Sequence, residues 1–248
     1  LRKEVPLARL QRRASLREKI NAGLGDLEVA VRKYALNEYY DKALGLVLSG
    51  RARDAFNLGA EKKEVRARYG KNTFGQSCLL ARRLIEAGTR VVEVNWPKVA
   101  NSDNHSWDVH VGLSKRMKTQ NSPMLDSGLS TLIADLDERG LLDETLVLCL
   151  TEHGRTPKVK NSAKGGGRDH WSNVYSVMLA GAGIQPGTVV GASDSHGAFV
   201  KNRPVSPEDI LATMYHLKGI DPETTIIDRL KRPVRLVENG RVMPELLG

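Results

Sequence analysis

Apolar positions recur at helical spacing through the first 70 residues. Leu7, Leu10, Leu16 and Ile20 form one stripe, and Leu27, Val31, Tyr34 and Ala35 another, with Asp26 placed to cap the second. This region reads as helices packed on a core further along. Phe74 to Ala87 gives a further helix, stopped at Gly88, and Arg90 to Trp96 follows as a β-branched, mostly apolar strand ended by Pro97. A polar loop runs from Asn101 to His110. Ser122-Pro123 then reads as a cap with proline at the first helical position, and Leu125, Leu129, Leu132, Ile133 and Leu136 mark the buried face as far as Gly140. Thr145 to Thr151 is a buried strand.

The unit of helix, glycine turn and strand therefore occurs twice, each time followed by a polar loop. That order favours an α/β fold with a mostly parallel sheet flanked by helices. Tyr175 to Ala180 adds a core strand and Thr188 to Val190 a short one. Ser206-Pro207-Glu208-Asp209 opens a helix with a cap, a proline and two acids at its positive end. Asn239-Gly240 signals a hairpin in the tail. The reading is one α/β domain over 1–248, with 1–70 as a helical segment packed on it.

Composition narrows the classes. With 40% apolar and 27% charged residues the chain is ordinary for a globular protein, and no apolar run approaches the ~20 residues of a membrane-spanning helix. Two cysteines, Cys78 and Cys149, lie in apolar elements and read as buried free thiols rather than a disulfide framework. The net charge of +9 suits an anionic small-molecule substrate or, as a weaker alternative, nucleic acid. Aromatics at 5% and the lack of zinc-finger spacing argue against the latter. Composition says nothing of oligomeric state.

Candidate chemistry lies after the strands. Asp108 and His110 are one residue apart, so an extended segment turns both to one side. Glu152-His153 directly follows the strand Thr145–Thr151, and Asp169-His170 ends a basic loop carrying Gly165-Gly166-Gly167. Carboxylates and neutral imidazoles are the usual ligands of zinc and related divalent ions. Convergence of these three acid–histidine pairs would give one metal site, or two sharing a bridging carboxylate, suited to hydrolysing a phosphate or sulfate ester. Arg155 and Arg168 are placed to grip a tetrahedral anion, and the glycine run to offer backbone amides to it. Each flanking lysine (Lys158, Lys160, Lys164) reads singly as a solvated charge. His105, His196 and His216 have no clustered partner.

At these residues the chain resembles a known family. Gly140-Leu141-Leu142-Asp143-Glu144-Thr145-Leu146-Val147 leading to Glu152-His153-Gly154 is similar to a stretch of the sulfatases and phosphoglycerate mutases of the alkaline phosphatase superfamily. There the metal motif is Asp-His-Gly; here Glu152 replaces the aspartate. Gly167-Arg168-Asp169-His170 resembles the later metal-binding histidine, at His170, and Trp107-Asp108-Val109-His110 an upstream ligand pair. Phe74 to Leu84, Trp107 to His110, Glu152 to Pro157 and Gly167 to Trp171 together look like one branch, the "domain of unknown function 1501" family. The resemblance implies an alkaline phosphatase-like fold and a metal-dependent phosphoric or sulfuric ester hydrolase. Zinc is the first choice of cofactor, with manganese, calcium or magnesium as others. It also implies export from the cytoplasm. The chain opens on Leu1 rather than Met, and the family's nucleophile and one more metal-binding aspartate are expected upstream; no catalytic nucleophile is placed in this sequence. A catalytically inactive relative that keeps the sheet and works as a metal- or ligand-binding or structural protein is the alternative.

Overall fold

In the computed structural model, the structure describes residues 8, 9, 11–13, 15, 38–41, 54–96 and 107–248. The two leucine-rich stripes before residue 36, the Asp26 cap, Pro97 and His105 lie outside them. The described positions of 8–15 and 38–41 are helical, as their spacing predicts. From residue 54 onward the described residues hold five α-helices: α1 (Lys63–Arg68), α2 (Thr73–Glu86), α3 (Leu113–Arg116), α4 (Ser122–Glu138) and α5 (Pro207–Leu217). The strands are short and pair in twos: β1 (Val147–Cys149) with β4 (Met178–Ala180), β2 (Gly154–Arg155) with β3 (His170–Trp171), β5 (Ala192–Ser193) with β6 (Val200–Asn202), and β7 (Thr225–Ile227) with β8 (Pro233–Arg235).

The class is mixed α/β, but every pairing among the described strands is antiparallel. This departs from the parallel sheet expected from the repeated helix–turn–strand order. The cause is local. After β1 the chain doubles back through the β2–β3 ladder, where Gly154 faces Trp171 and Arg155 faces His170. It therefore returns as β4 alongside β1, with Val147 opposite Ala180. Arg90 to Trp96 alternates in exposure as a strand should, yet it has no ladder partner among the described residues, and Val91 is 78% exposed. Thr188 to Val190 is likewise unpaired, and the tail hairpin forms not at Asn239-Gly240 but upstream, between β7 and β8. Alternation encodes which residues face a core; it does not encode which strand lies beside them.

The chain divides into two compact units, Leu1–Lys63 with Leu80–Glu93, and Glu64–Leu79 with Val94–Gly248. The first holds an ion cluster. Arg82, 1% exposed, lies 3.0 Å from Glu61 and 2.6 Å from Glu86, and Arg83 also bonds Glu61. Pairing on both sides is what makes a buried guanidinium tolerable.

The second unit carries the main core: Tyr69, Phe74, Cys78 and Leu79 together with Val109, Leu132, Leu136, Val147, Ala212, Val237, Met243 and Leu246. Leu132 and Leu136 lie on the predicted face of α4, one turn apart. Between them Asp135, only 3% exposed, accepts from the Tyr69 hydroxyl at 2.8 Å and from Arg139 Nε at 2.8 Å, which meets the cost of burying its charge. Ser122 does not cap α4. Residues Met117–Asn121 run straight into it as a π-helical turn from α3, so Pro123 sits in a continuous helix rather than at its start. Both cysteines are free thiols. Cys78 is buried, which pushes its pKa up to about 12; Cys149 is half-buried, and its pKa is raised for the same reason.

The start of α5 matches its sequence signal. Asp209 N–H donates to Ser206 Oγ at 3.1 Å, and Ser206 N–H donates back to Asp209 Oδ2 at 2.9 Å. Arg241 N–H donates to the other oxygen at 2.8 Å, tying the tail to the helix. Burial alone would raise the Asp209 carboxyl, but the hydrogen bonds from Ser206 and Arg241 outweigh it and hold it below the ordinary 3.8. A carboxyl lowered by folding contributes stability above its unfolded pKa and loses it as pH falls through the folded one. Asp209→Asn is therefore expected to cost about 1–2 kcal/mol at neutral pH in urea denaturation. The gap to the parent should close as pH drops below ~4; a constant gap across that range would mean that the charge contributes nothing.

Candidate metal centre

The site belongs to the second unit and is built from two segments. The first is Trp107-Asp108-Val109-His110. Val109 is fully buried while Asp108 and His110 are exposed, so the buried side chain orients the two polar ones to the same face. Trp107 is held from behind by an aromatic series, Phe74 to Trp96 at 4.1 Å and Trp96 to Trp107 at 5.2 Å between ring centroids. The second segment is the β2–β3 ladder with the loop it closes, which brings Arg155 directly opposite His170.

Between these segments Asp108 Oδ1 is the meeting point. His110 Nε2 lies 2.9 Å from it, His170 Nε2 2.8 Å and Arg155 Nη2 3.0 Å. The hydrogen bonds to His170 and then Arg155 hold the Asp108 carboxyl down at about 2, against an ordinary 3.8, so it is anionic at neutral pH. One donor atom from each of Asp108, His110 and His170 falls within 4.8 Å of the others. The three side chains are about half exposed and open to solutes, at 46–52%.

The donor set fits a divalent cation. Two imidazoles and one carboxylate are the ligand set of one class of catalytic zinc site, which leaves a coordination position open. Zinc with nitrogen and oxygen ligands at 2.0–2.2 Å sets them roughly 3.4 Å apart in a tetrahedron. The observed carboxylate–imidazole separations of 2.8 and 2.9 Å need to widen by only about 0.5 Å, a small rotation for half-exposed side chains.

The remaining candidates surround this group. Asp169 lies on the far side of His110, with Oδ1 3.2 Å from Nδ1, and its Oδ2 is 2.5 Å from Lys160 Nζ. Lys160 first and His110 second hold the Asp169 carboxyl below its ordinary value. His153 stacks on His170 with centroids 4.1 Å apart, and its Nδ1 meets the Gly154 carbonyl at 2.9 Å. Glu152 is 86% exposed and meets His153 Nε2 at 3.3 Å, on the rim. Arg155 donates to the Trp107 carbonyl at 2.8 Å and the Arg168 carbonyl at 3.3 Å as well as to Asp108, so it fastens the two segments together. Arg168 Nε is buried and has no hydrogen-bond partner among the described residues.

The glycine run has a different use from an anion cradle. Gly165 N–H donates to Ser162 O and Gly167 N–H to Lys160 O, so these two amides are spent within the loop. The carbonyls of Gly165 and Gly166 accept from Gly112 and Leu113 N–H, which stitches the loop to the segment after His110. The sequence places several cations near Asp169 without saying which one pairs with it; the structure gives Lys160. Counting back along the ladder from Arg155–His170 through the Lys160–Gly167 bridge would have brought them close, but only with the ladder known.

No described helix is long and apolar enough to cross a membrane. Compared with known proteins, the chain matches over residues 1–247 the family described as "Protein of unknown function (DUF1501)". No curated protein and no solved structure matches it.

Proposed function

The chain belongs to the DUF1501 family, and from that starting point we propose that it is a metal-dependent hydrolase of phosphate or sulfate esters, in a branch of the alkaline phosphatase superfamily. The observation that carries the reading is the convergence of Asp108, His110 and His170 within 4.8 Å on an exposed face. The superfamily placement rests on the sequence run Gly140 to Val147 leading into Glu152-His153-Gly154.

Asp108, His110 and His170 would hold the cation, with zinc favoured by the imidazole pair. A bound divalent ion supplies Lewis acidity, neutralising charge on the ester and making water more acidic. The protein's own part is to keep Asp108 ionised and to place a cationic guanidinium beside it. Arg155 has five N–H groups, of which three are engaged among the described residues, leaving two to bind non-bridging oxygens of the ester. Hydrolysis forms a new bond from a water oxygen to phosphorus or sulfur, breaks the ester bond and releases the alcohol with a proton. His153 stacks on His170 and Glu152 meets His153 from the rim, where a second cation or the leaving group would be met.

One observation favours a non-catalytic reading. Arg155 occupies the same Asp108 oxygen that both imidazoles approach, and a guanidinium there competes with a cation. Metal analysis followed by turnover of aryl phosphate and aryl sulfate esters separates the two. The expected result is retained zinc or manganese, and hydrolysis that stops with chelator and returns when the ion is restored. Absence of turnover would support the non-catalytic relative, whether it holds a metal or, as the Arg155 contact favours, does not; absence of bound metal, or turnover indifferent to chelator, would overturn the proposal.

A further inference from the structure

We propose that Asp169 is a positioning residue rather than a metal ligand: fixed by Lys160, it orients His110 through Nδ1 and so sets the affinity of the centre. The inference rests on the metal-binding reading of Asp108, His110 and His170, and it adds two residues that act on the cation only through another side chain.

The argument starts from the two nitrogens of His110. Nε2 faces Asp108 Oδ1 at 2.9 Å, and Nδ1 faces Asp169 Oδ1 at 3.2 Å. An ionised carboxylate only accepts, whereas a neutral imidazole carries a single proton and donates once. A neutral ring therefore cannot satisfy both neighbours. A cation taken by Nε2, Asp108 and His170 removes the conflict. The ring proton then stays on Nδ1 and is donated to Asp169, the arrangement that fixes the tautomer and raises the basicity of a metal-binding imidazole.

Asp169 is built for this task. Its Oδ2 takes Lys160 Nζ at 2.5 Å, leaving Oδ1 for His110. Its backbone is pinned on both sides, by Asp169 N–H to Thr156 Oγ1 at 3.1 Å and by Thr156 N–H to Asp169 O at 2.9 Å. Lys160 is fixed in turn by backbone bonds in both directions with Gly167. Asp169 also lies outside the group of three donor atoms that fall within 4.8 Å of one another. One carboxylate oxygen on a lysine and the other on a histidine leaves little of it for a cation.

Zinc titration by calorimetry on the parent, Asp169→Ala, Asp169→Asn and Lys160→Met tests this, with X-ray absorption to count ligands and nitrogen NMR to locate the His110 proton. Asp169→Ala is expected to weaken zinc about 10–100-fold with stoichiometry and ligand count unchanged. Asp169→Asn, whose carbonyl still accepts from Nδ1–H, should lose less, and Lys160→Met should fall between the parent and Asp169→Ala. In the zinc-loaded parent the His110 proton should reside on Nδ1. Parent-like affinity in Asp169→Ala, or loss of one coordinated oxygen there, would overturn the inference while leaving the metal centre standing. A parent that takes up no zinc overturns the metal-centre reading and this inference with it.

Discussion

Asp108→Ala is expected to eliminate specific divalent-metal binding and, with it, ester hydrolysis, while leaving the fold intact. The contacts that join the two proposed histidine ligands and Arg155 to one another pass through this one carboxylate. Oδ1 is within 3.0 Å of His110, His170 and Arg155, and no other side chain bridges the two histidines at that distance among the described residues. Removing it deletes the only anionic ligand of the three and leaves Arg155 as an uncompensated cation where the metal would sit. Loss of a residue that merely supports a ligand costs roughly 10–100-fold in affinity, so loss of the ligand itself together with this repulsion should exceed that range. The fold should tolerate the change because Asp108 is half exposed, and the core contact of its segment is made by Val109. The check is zinc titration beside urea denaturation of the metal-free protein. Unchanged affinity would remove Asp108 from the centre. A collapse of metal-free stability would make its role architectural.

How far the sequence foretold this site depends on the range of each interaction. The pairing of Asp108 with His110 follows from alternation over three residues, and it is what the structure shows, with buried Val109 between them. The capping box at Ser206 and Asp209 is equally local and is read directly from side-chain type and spacing, whereas on α4 the predicted Leu132 and Leu136 are buried together with Gly128, Thr131 and Asp135, which carry no apolar signal. The approach of His170 to Asp108 bridges 62 positions and was suggested only by family resemblance and by the crowding of acid–histidine pairs. Orientation of the strands was not legible. Thr145 to Thr151 and Tyr175 to Ala180 announce buried strands, but whether they run together or opposed depends on the β2–β3 ladder between them. Which of the neighbouring cations pairs with Asp169 was open for the same reason, since only the ladder register sets Lys160 against it.

Gly167→Ala is the substitution expected to do most harm for its size, and it tests whether the loop's glycines are there for close packing. A methyl group at Gly167 would stand 1.7 Å from the His110 carbonyl oxygen, 2.1 Å from its carbon and 2.8 Å from Val111 N. All three are backbone atoms, so no rotamer change relieves the clash. Separation to an acceptable 3.0 Å requires the two chains to part by more than an ångström. That movement would strain the bonds from Gly112 N–H to Gly165 O and from Leu113 N–H to Gly166 O, and would carry His110 away from Asp108 and Asp169. Overpacking of this kind costs about 1–3 kcal/mol in stability, and an ångström of displacement at a reacting centre costs about 100-fold in rate. Gly166→Ala is the control, because its methyl would meet the Val159 side chain at 2.7 Å but backbone, the Lys160 carbonyl oxygen, only at 3.2 Å. The expected outcome is a lower urea midpoint and much weaker zinc binding for Gly167→Ala, with a smaller loss of both for Gly166→Ala. Equal behaviour of the two variants would mean that the loop gives way without moving His110, and that the packing of residue 167 does not hold the centre together.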